Sequence, residues 1–223
     1  MRRSWALLLG GVTTVVLMLS LRGDAAAQEL PSPGPVPGEG DEAPSIPALH
    51  ESRIQAERAH LRRVGIWGGA NLLAGTSLAL TRGDDEEWVG AFGMQSAGWG
   101  AVNGAIALFG ILRSPAPAPS SAAEAQTAED RLAHILLVNL GLNVGYMGVG
   151  ATMMLLAGDE PSRGERIRGH GGAVVLQGLG LFVLDLVAYL ESRDRLGEYR
   201  ELLDRVELRP DSGGGTGVSI RIR

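Results

Sequence analysis

Four long runs of residues constrain this chain more than any other feature. They contain no Asp, Glu or Arg, except for one Asp in the last run. They cover residues 64–81, 89–112, 135–158 and 170–190, and the last contains His170 and Asp185. A helix needs about 20 mainly apolar residues to cross a bilayer. A soluble bundle, the alternative, would require four helices that are apolar on every face with nothing to cover them. The sequence therefore predicts an all-α integral membrane four-helix bundle built from two tandem helical hairpins.

The flanking segments complete the predicted domain organisation. Arg2 and Arg3 precede an apolar stretch from Trp5 to Leu21, and Ala25-Ala26-Ala27 then match an A-x-A cleavage site, so residues 1–27 are predicted to be a secretory signal peptide. An uncleaved anchor that adds a fifth span is the alternative. Residues 28–50 are predicted to be a disordered Pro/Gly-rich linker, because repeated proline forbids helix and the acidic remainder has little to bury. Residues 51–205 form the predicted four-span domain, and residues 206–223 form a tail with a weak hairpin.

Composition and spacing exclude several classes of function. The chain has no Cys, which rules out disulfides and thiolate metal sites. Its net charge is −5 and it has no basic block, which argues against nucleic-acid binding. No enzyme or metal motif is present. His60 and His134 lie at predicted helix starts, and His170 is far along its helix from Asp185. We therefore predict no catalytic residue, no cofactor, no metal and no nucleic-acid partner.

The two halves of the chain share polar residues at the same helical spacing, which indicates an internal repeat. Because two spans separate the copies, the hairpins would insert in the same direction and be related by an axis along the membrane normal. The matches pair Gln95, Trp99 and Asn103 with Gln177, Leu181 and Asp185, and Asn71 with Asn143.

Polar side chains inside the apolar runs are the candidate functional residues. An amide in hydrocarbon costs several kcal/mol without a partner. These side chains are either interhelical hydrogen bonds of about 0.6 kcal/mol each or the lining of a polar pocket for a small solute or ion. Asp185 is the sharpest case, because an intramembrane carboxylate is a functional hypothesis by default. Its predicted partners are Asn71, Asn103 and Gln177. The predicted cluster comprises Asn71, Gln95, Asn103, Asn143, Gln177 and Asp185.

Small residues recur every four positions in the second run and predict close helix packing. A Gly-lined conduit is the alternative. Trp67 and Trp99 lie away from the membrane interfaces, so they are packing residues or pocket walls. One ridge contains Gly93, Ala97, Ala101 and Ala105, and another contains Gly100 and Gly104; the predicted packing set is Gly93, Ala97, Gly100, Ala101 and Gly104.

The segments W67-G-G-A-N71-L-L-A-G75, M94-Q-S-A-G-W99-G-A-V-N103, N143-V-G-Y146-M-G-V-G150 and Q177-G-L-G-L-F-V-L-D185 resemble a family of uncharacterised bacterial four-helix membrane proteins, classed as a domain of unknown function. The resemblance covers about Arg53 to Arg193. It implies the four-span fold and no activity, and it implies an acidic residue where this chain has Asn143.

Together these patterns predict a non-enzymatic structural or interaction component of a bacterial inner membrane, with the lipid bilayer and further copies of the chain as partners. The alternative function is a small-solute or proton pathway lined by Asn71, Asn103, Asn143 and Asp185. The orientation is open: the signal peptide places the N-terminus outside, whereas the distribution of arginines favours the opposite.

Overall fold

The computed structural model describes residues 45–82, 86–205, 207–210 and 218–221. Four helices are followed by two short strands that pair antiparallel, with Leu208 opposite Ile220. The predicted signal peptide, and the predicted linker up to residue 44, lie outside the described residues. The elements are α1 (Ile46–Arg82), α2 (Glu87–Leu112), α3 (Ala122–Leu155), α4 (Pro161–Arg205), β1 (Glu207–Pro210) and β2 (Val218–Arg221).

The first helix begins earlier than predicted, so the expectation of disorder through residue 50 is wrong at its end. α1 starts at Ile46 and includes Pro47. Proline is tolerated there because the first-turn N–H groups have no partner within the helix. Leu49 is buried in a small cluster with Tyr199 of α4, which holds this turn against the bundle.

The third helix also ends before the uncharged run does. The run continues to residue 158, but α3 ends at Leu155. Leu156 caps the helix, and Gly158, two residues further on, has φ +72°, a left-handed conformation that glycine adopts without strain in the turn that follows. Pro161 then opens α4, where its fixed φ suits the first turn.

The helices form two closely packed pairs, α1 with α2 and α3 with α4. α4 also packs against α2 and, over a smaller area, against α1, whereas α1 and α3 meet only briefly. α4 is therefore the central element. Trp99 of α2 also contacts Tyr146 of α3 edge to face, with ring centroids 5.1 Å apart. The main apolar core includes Val64, Trp67, Phe92, Ala173, Leu176 and Leu184.

Glycines bring α1 and α2 into backbone contact. A Cβ on Gly100 would lie 2.3 Å from the Leu72 nitrogen and 2.6 Å from the Gly68 carbonyl oxygen. The predicted ridge through Ala101 is wrong, because Ala101 is exposed. Two antiparallel helices that stay in contact over several turns meet through residues that repeat about every 3.5 positions. Residues at a strict spacing of four therefore rotate away from the partner helix. The α2 residues on the contact side are Gly93, Ala97, Gly100, Gly104 and Ala107.

Glycines also close the α3–α4 pair and the α1–α4 contact. A Cβ on Gly171 would lie 2.6 Å from the Gly150 carbonyl oxygen. A Cβ on Gly180 would lie 2.3 Å from the ring of Trp67, which is only 2 % exposed. The indole of Trp67 therefore fills the space in which the Cβ of any other residue at position 180 would lie.

The surface of the bundle carries many large apolar side chains. Among the described helices, α3 and the Pro161–Leu203 part of α4 are long and apolar enough to cross a membrane. α3 buries small and polar residues, including Glu129, Ala133, Asn143 and Gly150. The same helix exposes Ile135, Leu137, Val138, Leu142, Val144, Val149 and Leu155.

Candidate functional site: a polar seam and a cavity at His60

Two of the predicted polar residues form a closed set of hydrogen bonds with a tryptophan. Trp67 Nε1 donates to Gln177 Oε1 at 3.0 Å, Gln177 Nε2 donates to Asn71 Oδ1, and Asn71 Nδ2 donates to the Trp67 carbonyl at 2.8 Å. All three side chains are buried. The amides of Asn71 and Gln177 therefore satisfy each other across the α1–α4 contact.

Asp185 has different partners from those predicted. Asn143 Nδ2 of α3 donates to its Oδ2 at 2.7 Å, and His60 Nε2 of α1 lies 3.2 Å from its Oδ1. The prediction of Asn71, Asn103 and Gln177 as partners is wrong. Gln177 is two helical turns away, about 12 Å along α4. Because α1 is continuous from Ile46, His60 lies at the level of Asp185.

The other predicted polar residues lie apart from this contact. Gln95 Oε1 is 3.1 Å from His170 Nδ1, near the opposite end of the bundle. Asn103 is buried, and its Nδ2 has no hydrogen-bond partner among the described residues. The structure thus brings Asn143 to Asp185 and Asn71 to Gln177, and it separates these pairs rather than joining them in one cavity.

The sequence reasoning missed a buried charged cluster between α3 and α4. Glu129 is 0 % exposed and accepts hydrogen bonds from Ser192 Oγ, Arg195 Nε (3.2 Å) and Arg195 Nη2 (2.8 Å). Burial raises the pKa of the nearby Tyr199 hydroxyl, and the Glu129 carboxylate raises it further. These residues lie beyond the uncharged runs, in segments from which no candidate residue was predicted. The available signal was the spacing of Glu129 with Ala133, Leu136, Leu140 and Asn143 on one helical face.

A cavity of about 200 Å³ lies beside His60, between α1, α3 and α4. Most of its wall is aliphatic. Charged groups at its margin are already paired: Arg53 donates to Glu57 at 2.6 Å, and Arg63 lies 3.4 Å from Glu191. His60 Nδ1 is buried and has no hydrogen-bond partner in the part of the chain that the structure describes. The lining residues include Ala56, Leu61, Leu132, Leu136, Ala188 and Arg195.

A second cavity, of about 410 Å³, lies at the opposite end of the bundle beside His170. Arg166 Nε is 3.7 Å from Glu87 Oε2, and Ser162 Oγ donates to Glu87 Oε1 at 2.8 Å. Both members of this ion pair are well exposed, so the cavity is a polar surface pocket. Across residues 45–82 and 86–205, no group of three His, Asp or Glu side chains is placed to hold a metal ion.

The comparison with protein families decides what the chain belongs to. A model described as a family of unknown function, DUF6992, matches residues 63–186, more than half of the 223 residues. The chain belongs to DUF6992. The resemblance to an uncharacterised family is thereby confirmed. The DUF6992 segment contains Trp67, Asn71, Asn143, Gln177 and Asp185, whereas His60 and the Arg195 side of the cavity lie outside it. Neither a curated protein nor a solved structure is significantly similar to the chain.

Proposed function

We propose that this DUF6992 protein is a four-span membrane protein with a structural or interaction role. The observation that carries this proposal is an inverted distribution of side chains. Phe109 of α2 is 74 % exposed and Leu155 of α3 is 85 % exposed, whereas Glu129 and Gln177 are buried. Water penalises such a surface, while a bilayer favours apolar residues outside and polar residues inside a bundle.

α1 and α2 are included in the proposed spans although glycines and amides lower their mean hydropathy. α2 has 26 residues, which gives about 39 Å of helix against a hydrocarbon core of about 30 Å. Its contact side is small or polar, with Gly100, Asn103 and Ala107 buried. Its outer side carries Val102, Ile106 and Phe109, all exposed. Such a helix suits a lipid-facing position in a tightly packed pair.

The paired amides support a structural rather than catalytic role. The Asn71–Gln177 contact joins α4 to α1, the Asn143–Asp185 contact joins α4 to α3, and together they leave little polar capacity for chemistry. We place the protein in a bacterial inner membrane with an exported N-terminus. There the exposed faces of α2 and α3 would contact lipid or a further copy of the chain.

Membrane extraction tests this proposal. We expect the expressed full chain to remain in the pellet when membranes are washed with alkaline carbonate, as an integral protein does, while a peripheral control protein is released. Release of the chain into the supernatant would contradict the proposal. Orientation is tested separately with Ala118→Cys, since the chain has no other cysteine. Labelling from the periplasmic side is expected, and protection would invert the topology.

A proton or small-solute pathway is the second candidate function. The contact of His60, Asp185 and Asn143 favours it, because an acid and a base meet inside the bundle beside a cavity. In proteoliposomes a pathway would produce a flux that Asp185→Asn abolishes without loss of folding. If the wild-type protein gives no flux for protons or the solutes tested, this candidate is eliminated.

A further inference from the structure

We propose that the outward face of α3 is the surface through which two copies of this chain form a parallel dimer. Large apolar side chains on this face, such as Leu142 and Val149, are more than half exposed. Gly141 and Gly145 lie among them, are exposed, and have open space where a Cβ would stand. The inference rests on the proposed membrane placement, which gives every copy the same orientation.

The glycines of α3 are of two kinds. Gly150 is buried on the side that faces α4, where a Cβ would lie 2.6 Å from the Gly171 carbonyl oxygen. Packing within the chain therefore explains Gly150. Glycine is less favourable than alanine in a helix, and no contact within the described chain requires it at 141 or 145. Small residues spaced four apart let two membrane helices bring their backbones together, so contact with another helix accounts for this pair.

Charges at one end of the same face indicate that this other helix is α3 of a second copy. Successive helical residues are about 100° apart, which places Asp130 and Arg131 on either side of the line through Gly141 and Gly145. Neither charge is ion-paired to a described residue. In a two-fold dimer the left side of one helix meets the right side of the other, so each Arg131 lies beside the Asp130 of the other copy. Lipid tails offer neither charge a partner.

The position of α3 in the bundle leaves this face uncovered. α3 packs against α4 and meets α1 only briefly. α2 also has an open glycine, Gly98, but the residues four positions away on either side are Met94 and Val102, which are large and exposed. α2 therefore lacks the pair of small residues that α3 has, and Gly98 provides a matched control.

Fluorescence energy transfer between donor-labelled and acceptor-labelled full chains in phosphatidylcholine vesicles tests the dimer. The label is attached at Ala118→Cys, in the exposed loop between α2 and α3. We expect transfer above the level of random encounters, saturating as the ratio of protein to lipid rises. Gly145→Leu puts a bulky side chain into the contact and should weaken association at least about tenfold. Gly98→Leu adds the same bulk on α2 and should leave transfer unchanged.

Folding does not confuse this comparison, because both glycines have open space within the chain. Both variants should keep the circular dichroism and the thermal unfolding of the wild type in detergent. If Gly145→Leu does not fold, Gly141→Leu makes the same test one turn earlier. Undiminished transfer by a folded variant at either position would refute the surface.

A charge exchange tests the identity of the partner. Asp130→Arg and Arg131→Asp should each weaken self-association by about threefold per ion pair lost, because like charges then meet across the contact. A mixture of donor-labelled Asp130→Arg with acceptor-labelled Arg131→Asp should recover the association, because opposite charges meet again. A mixture that associates no better than either variant alone would show that the two charges do not face each other.

The failure of the dimer is distinguishable from the failure of the membrane proposal. Wild-type transfer at the random level, in a chain that resists alkaline carbonate, would show that lipid covers this face and would overturn the dimer alone. Release of the chain by carbonate would contradict the membrane placement on which the dimer rests.

Discussion

Glu129 shows how much a single buried carboxylate depends on its partners. It is fully buried, and one of its oxygens accepts from Ser192 and Arg195. The attraction between two buried charges offsets a large desolvation cost, so the pair contributes little net stability while each member remains essential to the other. The same reasoning applies to Asp185, whose carboxylate relies on Asn143 and His60.

Breaking the Glu129–Arg195 pair should therefore be costly. We expect Arg195→Met to lower the free energy of unfolding by about 3–5 kcal/mol, because it leaves an uncompensated buried carboxylate. The double variant Glu129→Leu/Arg195→Met should recover most of that loss. Denaturant unfolding in detergent, followed by circular dichroism, measures both. A double variant as unstable as the single one would show that the charge is not the source of the cost.

At the scale of the helix, glycine spacing determines which faces meet. Gly68 and Gly100 let two backbones approach to a distance that no Cβ could occupy, whereas a Cβ on Gly98 would meet no atom within 4 Å. Glycine within a helix is unfavourable by about 1 kcal/mol relative to alanine unless packing requires it. Packing therefore requires glycine at positions such as 100, whereas glycine at position 98 is only tolerated.

Alanine substitutions of these glycines should have opposite effects. Gly100→Ala places a methyl group 2.3 Å from the Leu72 nitrogen, so the α1–α2 pair must move apart, at a cost of at least about 1–3 kcal/mol. Gly98→Ala is the matched control, and we expect it to be neutral or stabilising by up to about 1 kcal/mol. Thermal unfolding in detergent compares them. Equal stabilities for the two variants would contradict the packing described for this pair.

The start of α3 provides a second test at this scale. Ser121 Oγ accepts from the Glu124 N–H at 3.2 Å, and Glu124 Oε2 accepts from the Ser120 N–H at 2.8 Å. Hydrogen bonds from Ser120 lower the pKa of Glu124 below 4.5. The pKa of Glu124 is lower in the folded chain than in the unfolded chain. The stabilisation by its carboxylate is therefore complete above the unfolded pKa of 4.5, and it is lost as the pH falls through the folded pKa.

We expect Ser121→Ala to destabilise the protein by about 1 kcal/mol, the usual effect of removing an N-cap side chain. Glu124→Gln should reduce the loss of stability between neutral and acidic pH. Unfolding curves at pH 7 and pH 3 measure both effects, and Ser52→Ala on the exposed side of α1 is a control without a cap. An unchanged pH dependence in Glu124→Gln would rule out the role given to this carboxylate.

At the scale of the whole molecule, the sequence predicted four helices in two hairpins, but not the contacts between the hairpins. The uncharged runs located α1 to α4, because their length and lack of charge are properties of each segment alone. The partners of Asp185 depend on the register between helices, and a slide of one turn, about 5.4 Å, exchanges one set of neighbours for another. The burial of Glu129 was missed for a related reason, since the bundle continues beyond the apolar runs.

The internal repeat stays a prediction at this scale, and so does the oligomeric state. The exposed apolar side chains of α2 and α3 suit contact with either lipid or another copy of the chain. A membrane-spanning bundle requires that these faces meet hydrocarbon rather than water. That property can be measured at single positions, because the chain has no cysteine to remove.

The most direct measurement is the accessibility of nitroxide labels at Leu73, Val102 and Val138, one exposed apolar position on each of α1, α2 and α3. Each is introduced as a single cysteine in the full chain reconstituted in phosphatidylcholine, with Arg131→Cys as an exposed control outside the predicted spans. We predict that oxygen relaxes the three labels strongly and that a water-soluble nickel chelate does not, while the control shows the reverse. Strong relaxation of the three labels by nickel would contradict the membrane-spanning account.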